Sequence, residues 1–133
     1  MNAPLSMLLL NPRLRRLCLG CAVVMYLLIV TTGNIPGARA DIGHLAPGPV
    51  LHSTAYAVLA ALWFCGSCGS AGARACKAVC AVAVMGAADE YIQSFFPYRG
   101  ADVRDWAVDI GAAIVASALL CLLTARTLAS VKR

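Results

Sequence analysis

The stretch ACKAVCAVAVMGAADEYIQSF, Ala75 to Phe95, carries Lys77 near its start, continues as an uncharged run, and then meets Asp89, Glu90 and Gln93 within its last two turns. A helix rises about 1.5 Å per residue, so this stretch covers about 30 Å, the thickness of bilayer hydrocarbon. An apolar run of that length is the pattern of a membrane-crossing helix. The acids then lie near one end of the crossing.

The rest of the chain agrees. It has 133 residues, 61% of them hydrophobic and only 13% charged, with a mean hydropathy of +0.79. One small water-soluble core cannot bury that much apolar surface. Four segments fit the bilayer: Leu14 to Thr32, Val50 to Gly66, Ala75 to Phe95 and Trp106 to Ala125. Breaker-rich stretches separate them: TGNIPGARADIGHLAPGP (Thr32 to Pro49), GSCGSAGAR (Gly66 to Arg74) and FPYRGAD (Phe96 to Asp102). The expected fold is all-α: one integral-membrane four-helix bundle with short loops over residues 1–133, without internal repeats.

Charge sets the expected orientation. With the N-terminus in the cytoplasm, the inner side receives Arg13, Arg15, Arg16, Arg74, Lys77, Arg126, Lys132 and Arg133, and the outer side only Arg39, Arg99 and Arg104. Positive-inside bias therefore puts both termini in the cytoplasm of a multi-pass protein of the bacterial inner membrane. All six acids fall on the outer half and all seven cysteines at or near the inner half, where thiols stay reduced. The net charge of +5 follows from this sorting, and no basic stripe with interleaved aromatics points to nucleic acid.

Two other patterns are weighed. The basic start and the sequence Ala38-Arg39-Ala40 resemble a secretory signal, but the gap after Val30 is long and contains Pro36, so a retained first helix is expected. CGSC at 65–68 and CKAVC at 76–80 have the spacing of zinc or redox pairs. Ala, Gly and Ser surround every cysteine, however, and cysteine packs well as a small hydrophobe between membrane helices. No metal or other cofactor is expected.

Outer-leaflet polar residues are the candidate site. If the third segment enters at Ala75, Asp89 lies about 21 Å along it, and a carboxylate costs at least about 2.5 kcal/mol at the bilayer centre unless it faces a partner or water. His52 and Tyr56, Asp89 and Gln93, and Asp105 and Asp109 are three pairs at i and i+4, each sharing one face of its own helix. They predict a polar cup, with Glu90 pointing about 100° away from Asp89. Phe95 to Gly100 would cap it. Arg99 or Arg104 would pair with Asp89 or Asp105 if the cup merely joins helices.

HSTAYAVLAAL, followed some thirty residues on by ADEYIQSFFPYRGADVRDWAVDIGA, resembles the VanZ-like family of small bacterial membrane proteins. That family's pattern is approximately DKxxHFxxY, then DExxQxFxPxRxxxxxDxxxN/DxxG. The matching residues are His52, Tyr56, Asp89, Glu90, Gln93, Phe95, Pro97, Arg99, Asp105 and Asp109, within roughly residues 48–116. Gly48-Pro49 stands where the family usually has Asp-Lys, Ser53 where it has Phe, and Gly111 one residue before the expected glycine. The founding member is associated with resistance to the glycopeptide antibiotic teicoplanin, and the family's molecular activity is not established.

The polar cup leaves a binding or accessory membrane protein as the first function class, meeting a lipid head group, a peptidoglycan precursor or a glycopeptide of the cell envelope, alone or as a homo-oligomer. The alternatives are an intramembrane hydrolase or transferase acting on a lipid-linked group, with His52 as base, Asp89 or Glu90 as acid and Asp105 and Asp109 as ligands for a divalent cation, or a small transporter subunit. The absence of a nucleophile paired with His52 in sequence weighs against the enzyme.

Overall fold

The computed structural model describes residues 11–37 and 48–131, and among them the chain is all helical. Helix α1 is Pro12–Gly33, α2 is Gly48–Gly66, α3 is Ala71–Gln93 and α4 is Val103–Val131. Ala38-Arg39-Ala40, Asp41 and the terminal Lys132 and Arg133, to which the sequence assigns a cleavage signal and sides of the membrane, lie outside the described residues.

Side-chain caps set the helix starts. Asn11 accepts from the Arg13 N–H at 2.9 Å, with Pro12 in the first turn, and Asp102 accepts from the Arg104 N–H at 2.8 Å. Ser70 accepts from the Ala73 N–H at 3.3 Å, so α3 begins at Ala71, earlier than its apolar run suggests. This first turn is polar yet packed: the Arg74 side chain is buried and folds back to donate to the Gly69 carbonyl at 3.0 Å and the Cys65 carbonyl at 3.5 Å.

Arg15 Nε reaches the Gly66 carbonyl at 3.4 Å, its guanidinium also contacts Cys68 Sγ, and Lys77 Nζ donates to the Cys68 carbonyl at 3.0 Å. The carbonyl-rich end of α2 is thus met by three cations, the sign its dipole favours. Gly69, at φ +111°, supplies the left-handed turn that starts the connection to α3.

Helix α2 is the hub, packing on α1, α3 and α4, while α3 also packs along α4. Ala22, Tyr56, Leu59, Ala60, Val82 and Ala113 form the main core, and Phe64, Cys65 and Ala78 a second one toward the Gly66 end of α2. Small residues let the backbones approach. At Gly66 the approach is closest: a Cβ there would lie 2.6 Å from Leu19 Cγ and 3.1 Å from the Arg15 carbonyl oxygen.

Large apolar side chains point outward instead, among them Leu17, Leu28, Val84, Val115 and Leu122. Helices α1, α3 and α4 are long and apolar enough to cross a membrane, and Val50–Gly66 of α2 is a shorter apolar helix. Hydroxyls on the outward face are satisfied within their own helix, Thr31 and Thr32 donating to the carbonyls of Leu27 and Leu28 at 2.7 Å. A bundle with its apolar surface outside and polar groups inside is matched to lipid as solvent, and all seven cysteines are free thiols.

Candidate functional site

The inward stripe of α3 runs through Ala78, Val82, Gly86, Asp89 and Gln93. Steps of three and four keep these residues on one face, so the face is apolar toward its N-terminal end and polar toward its C-terminal end. His52 and Tyr56 occupy the matching end of α2, and Asp105 and Asp109 that of α4. Because α2 is the hub, all three polar ends meet.

The Tyr56 hydroxyl donates to Asp89 Oδ2 at 3.2 Å, and His52 Nδ1 lies 3.3 Å from Asp109 Oδ1. The His52 and Tyr56 rings stack, with centroids 6.1 Å apart and planes 9° from parallel, so the two pairs form one unit. Asp89 and Asp109 are 2% and 1% exposed. Among the described residues their hydrogen-bonding partners are a phenol and an imidazole, neither of them a permanent cation. Hydrogen bonds between membrane helices contribute about 0.6 to 1.7 kcal/mol each, against about 2.5 kcal/mol for an acid at the bilayer centre and less toward the interface.

Glu90 is also buried, but its role is local: Oε2 accepts the Asp102 N–H at 2.6 Å and so holds the chain where it enters α4. Asp105, half-buried on the first turn of α4, lies within electrostatic reach of His52 and Glu90. Gln93 is 2% exposed, one turn beyond Asp89. Its Nε2 and Asp89 Oδ1 are buried atoms without a hydrogen-bond partner among the described residues.

Among the described residues no ion pair links Arg99 or Arg104 to Asp89, and Arg99 Nε is a buried atom without a hydrogen-bond partner there. The reason is the loop's path. Arg99 N–H bonds back to the Phe96 carbonyl at 2.9 Å and the Tyr98 hydroxyl donates to the Asn34 carbonyl at 2.8 Å, tying the turn to the end of α1. The Arg99 guanidinium consequently lies beside Gly33, with Nη2 3.8 Å from where a Cβ would be.

Two neighbours were not singled out by the sequence. The Tyr26 hydroxyl, from α1, donates to the Met85 carbonyl at 3.0 Å and lies in the electrostatic field of Asp89. Trp106 Nε1 donates to the Ala83 carbonyl at 2.9 Å and packs against Gly86. The available signals were a tyrosine inside an apolar run and a tryptophan three residues before Asp109, on its face. Among the described residues no three His, Cys, Asp or Glu side chains are placed to hold a metal ion. No family model matches the chain, and neither a curated protein nor a solved structure does.

Proposed function

We propose that this protein is a binding or accessory component of the bacterial cell envelope, seated in the cytoplasmic membrane with both termini inside and its polar cup in the outer leaflet. The observation that carries the reading is the coupled unit His52–Asp109 and Tyr56–Asp89. It holds two buried carboxylates, one on α3 and one on α4, against side chains of α2, without a permanent cation among their hydrogen-bonding partners. Intramembrane acids of this kind mark a site for a ligand or a proton rather than ordinary packing. The likeness of residues 89–109 to the VanZ-like pattern points the same way, toward a lipid head group, a peptidoglycan precursor or a glycopeptide.

The deciding test is a pair of near-isosteric changes. Asp89→Asn keeps the shape of the side chain and an acceptor for Tyr56, and His52→Gln keeps hydrogen bonding while removing titration. Both variants are expected to reach wild-type membrane abundance yet lose the envelope phenotype, read as glycopeptide or detergent susceptibility in a strain where deletion changes it. Wild-type phenotype in both rejects the reading, and loss of abundance in both assigns the cluster to helix packing.

Orientation has its own test. Gly72 and Gly100 are exposed and have open space where a Cβ would go, so cysteine fits at either position. In a cysteine-free background, Gly100→Cys is expected to react with a membrane-impermeant thiol reagent on intact cells, and Gly72→Cys only after permeabilisation. The reverse pattern inverts the topology.

A second reading, an intramembrane hydrolase or transferase acting on a lipid-linked group, draws on the His52–Asp109 pair, in which the carboxylate orients the imidazole as a base. Turnover of a lipid-linked phosphate that is lost in His52→Gln would favour it.

A further inference from the structure

We infer that Asp89 and Gln93 recognise a primary ammonium group together with the oxygen acceptor beside it, the chemistry of a zwitterionic aminophospholipid head group. This inference rests on the binding reading above and names its ligand class. Asp89 has one oxygen engaged by Tyr56 and the other, Oδ1, buried and without a partner among the described residues. That oxygen calls for a donor. Gln93 Nε2, a buried donor without a partner, calls for an acceptor. The two residues are four apart on α3, so their Cβ atoms are about 5 to 6 Å apart on one face, the donor-seeking group deeper and the acceptor-seeking group nearer the surface. A ligand that satisfies both presents a donor inward and an acceptor outward at that short spacing.

Charge selects the donor. Asp89 shares one electrostatic field with His52, Glu90 and Asp109. Asp89, Glu90 and Asp109 are held by a phenol, a backbone N–H and an imidazole. A cationic donor is therefore favoured over a neutral hydroxyl. The N–H matters as much as the charge, because a quaternary ammonium brings no hydrogen to Asp89 Oδ1. Depth selects the source. Tyr91 and Phe95 stand exposed on the last turn of α3 and just beyond it, and aromatic side chains with this placement sit at the level of lipid head groups.

The test uses the full chain in nanodiscs containing equal amounts of phosphatidylethanolamine, phosphatidylcholine and phosphatidylglycerol, with retained lipid read by native mass spectrometry. The wild type is expected to retain phosphatidylethanolamine about tenfold over phosphatidylcholine, the scale of one hydrogen bond to a charged group. Asp89→Asn and Gln93→Met are each expected to erase that preference while leaving phosphatidylglycerol retention unchanged. Should Asp89→Asn fail to fold, Gln93→Met carries the test alone. Soluble glycerophosphoethanolamine is expected to displace the retained lipid, and glycerophosphocholine is not.

Equal retention of the ethanolamine and choline lipids overturns the inference, as does an unchanged preference in the variants. Retention that neither soluble head group reduces marks a lipid held by its chains and overturns it as well. An Asp89→Asn variant that loses the envelope phenotype while the wild type shows no lipid preference leaves the binding reading standing and removes this one.

Discussion

Tyr56→Ala is expected to be the most destabilising single truncation in the bundle, lowering unfolding free energy by about 3 to 5 kcal/mol, the range for removing a buried aromatic side chain. Tyr56 is fully buried in the main core against Ala22, Leu59, Ala60, Val82 and Ala113. Alanine would remove its ring from the stack with His52, open a cavity where three helices meet, and strip Asp89 of its only hydrogen-bond donor among the described residues. Tyr56→Phe isolates the last of these. It keeps the ring and loses one interhelical bond, so a cost of about 0.6 to 1.7 kcal/mol is expected. Denaturant titration in detergent micelles measures both. Equal losses in the two variants would show that the hydroxyl, not the ring, holds the core.

Gly86→Leu is expected to cost about 3 kcal/mol, near the upper end of ordinary overpacking. A Cβ at position 86 would lie 3.1 Å from Trp106 Cδ1 and 3.4 Å from Asp109 Oδ2. Further carbons beyond it must push Trp106 off the Ala83 carbonyl and Asp109 away from His52. Gly86→Ala makes the informative comparison. Alanine gains about 0.8 to 1.0 kcal/mol of helix propensity over glycine, which offsets the shift of a few tenths of an ångström its methyl demands. A near-wild-type Ala variant beside a collapsed Leu variant establishes that the α3–α4 spacing controls the site. A Leu variant with wild-type stability would show that α4 can move away freely.

Local chemistry along the chain was sufficient for the helices. Uninterrupted apolar runs of about 20 residues, broken by Gly- and Pro-rich stretches, have few alternatives to membrane-crossing helices, because in lipid each backbone amide must find its partner within the segment. The polar pairs at i and i+4 were legible for the same reason, since helical periodicity alone puts Asp89 and Gln93 on one face. Boundaries were less legible. Helix α3 starts at Ala71 rather than Ala75 because Ser70 caps it and Arg74 folds back on the end of α2, which makes a polar turn part of the packed structure.

Partner choice belonged to the tertiary structure. Nothing local says that Tyr56 meets Asp89 while His52 meets Asp109. That follows from α2 sitting between α1, α3 and α4 and from how far each helix is rotated. Nothing local says that the Arg99 guanidinium lies beside Gly33 either. The Tyr98 bond to Asn34, 64 positions away in the chain, draws the loop to the end of α1. Glycine at 86 marks no turn in the sequence, and its importance comes from Trp106 crossing over it. Sequence periodicity determined which residues share a face. Close packing of four rigid helices decided which faces meet, because an interhelical contact depends on crossing geometry, and no single segment carries that information.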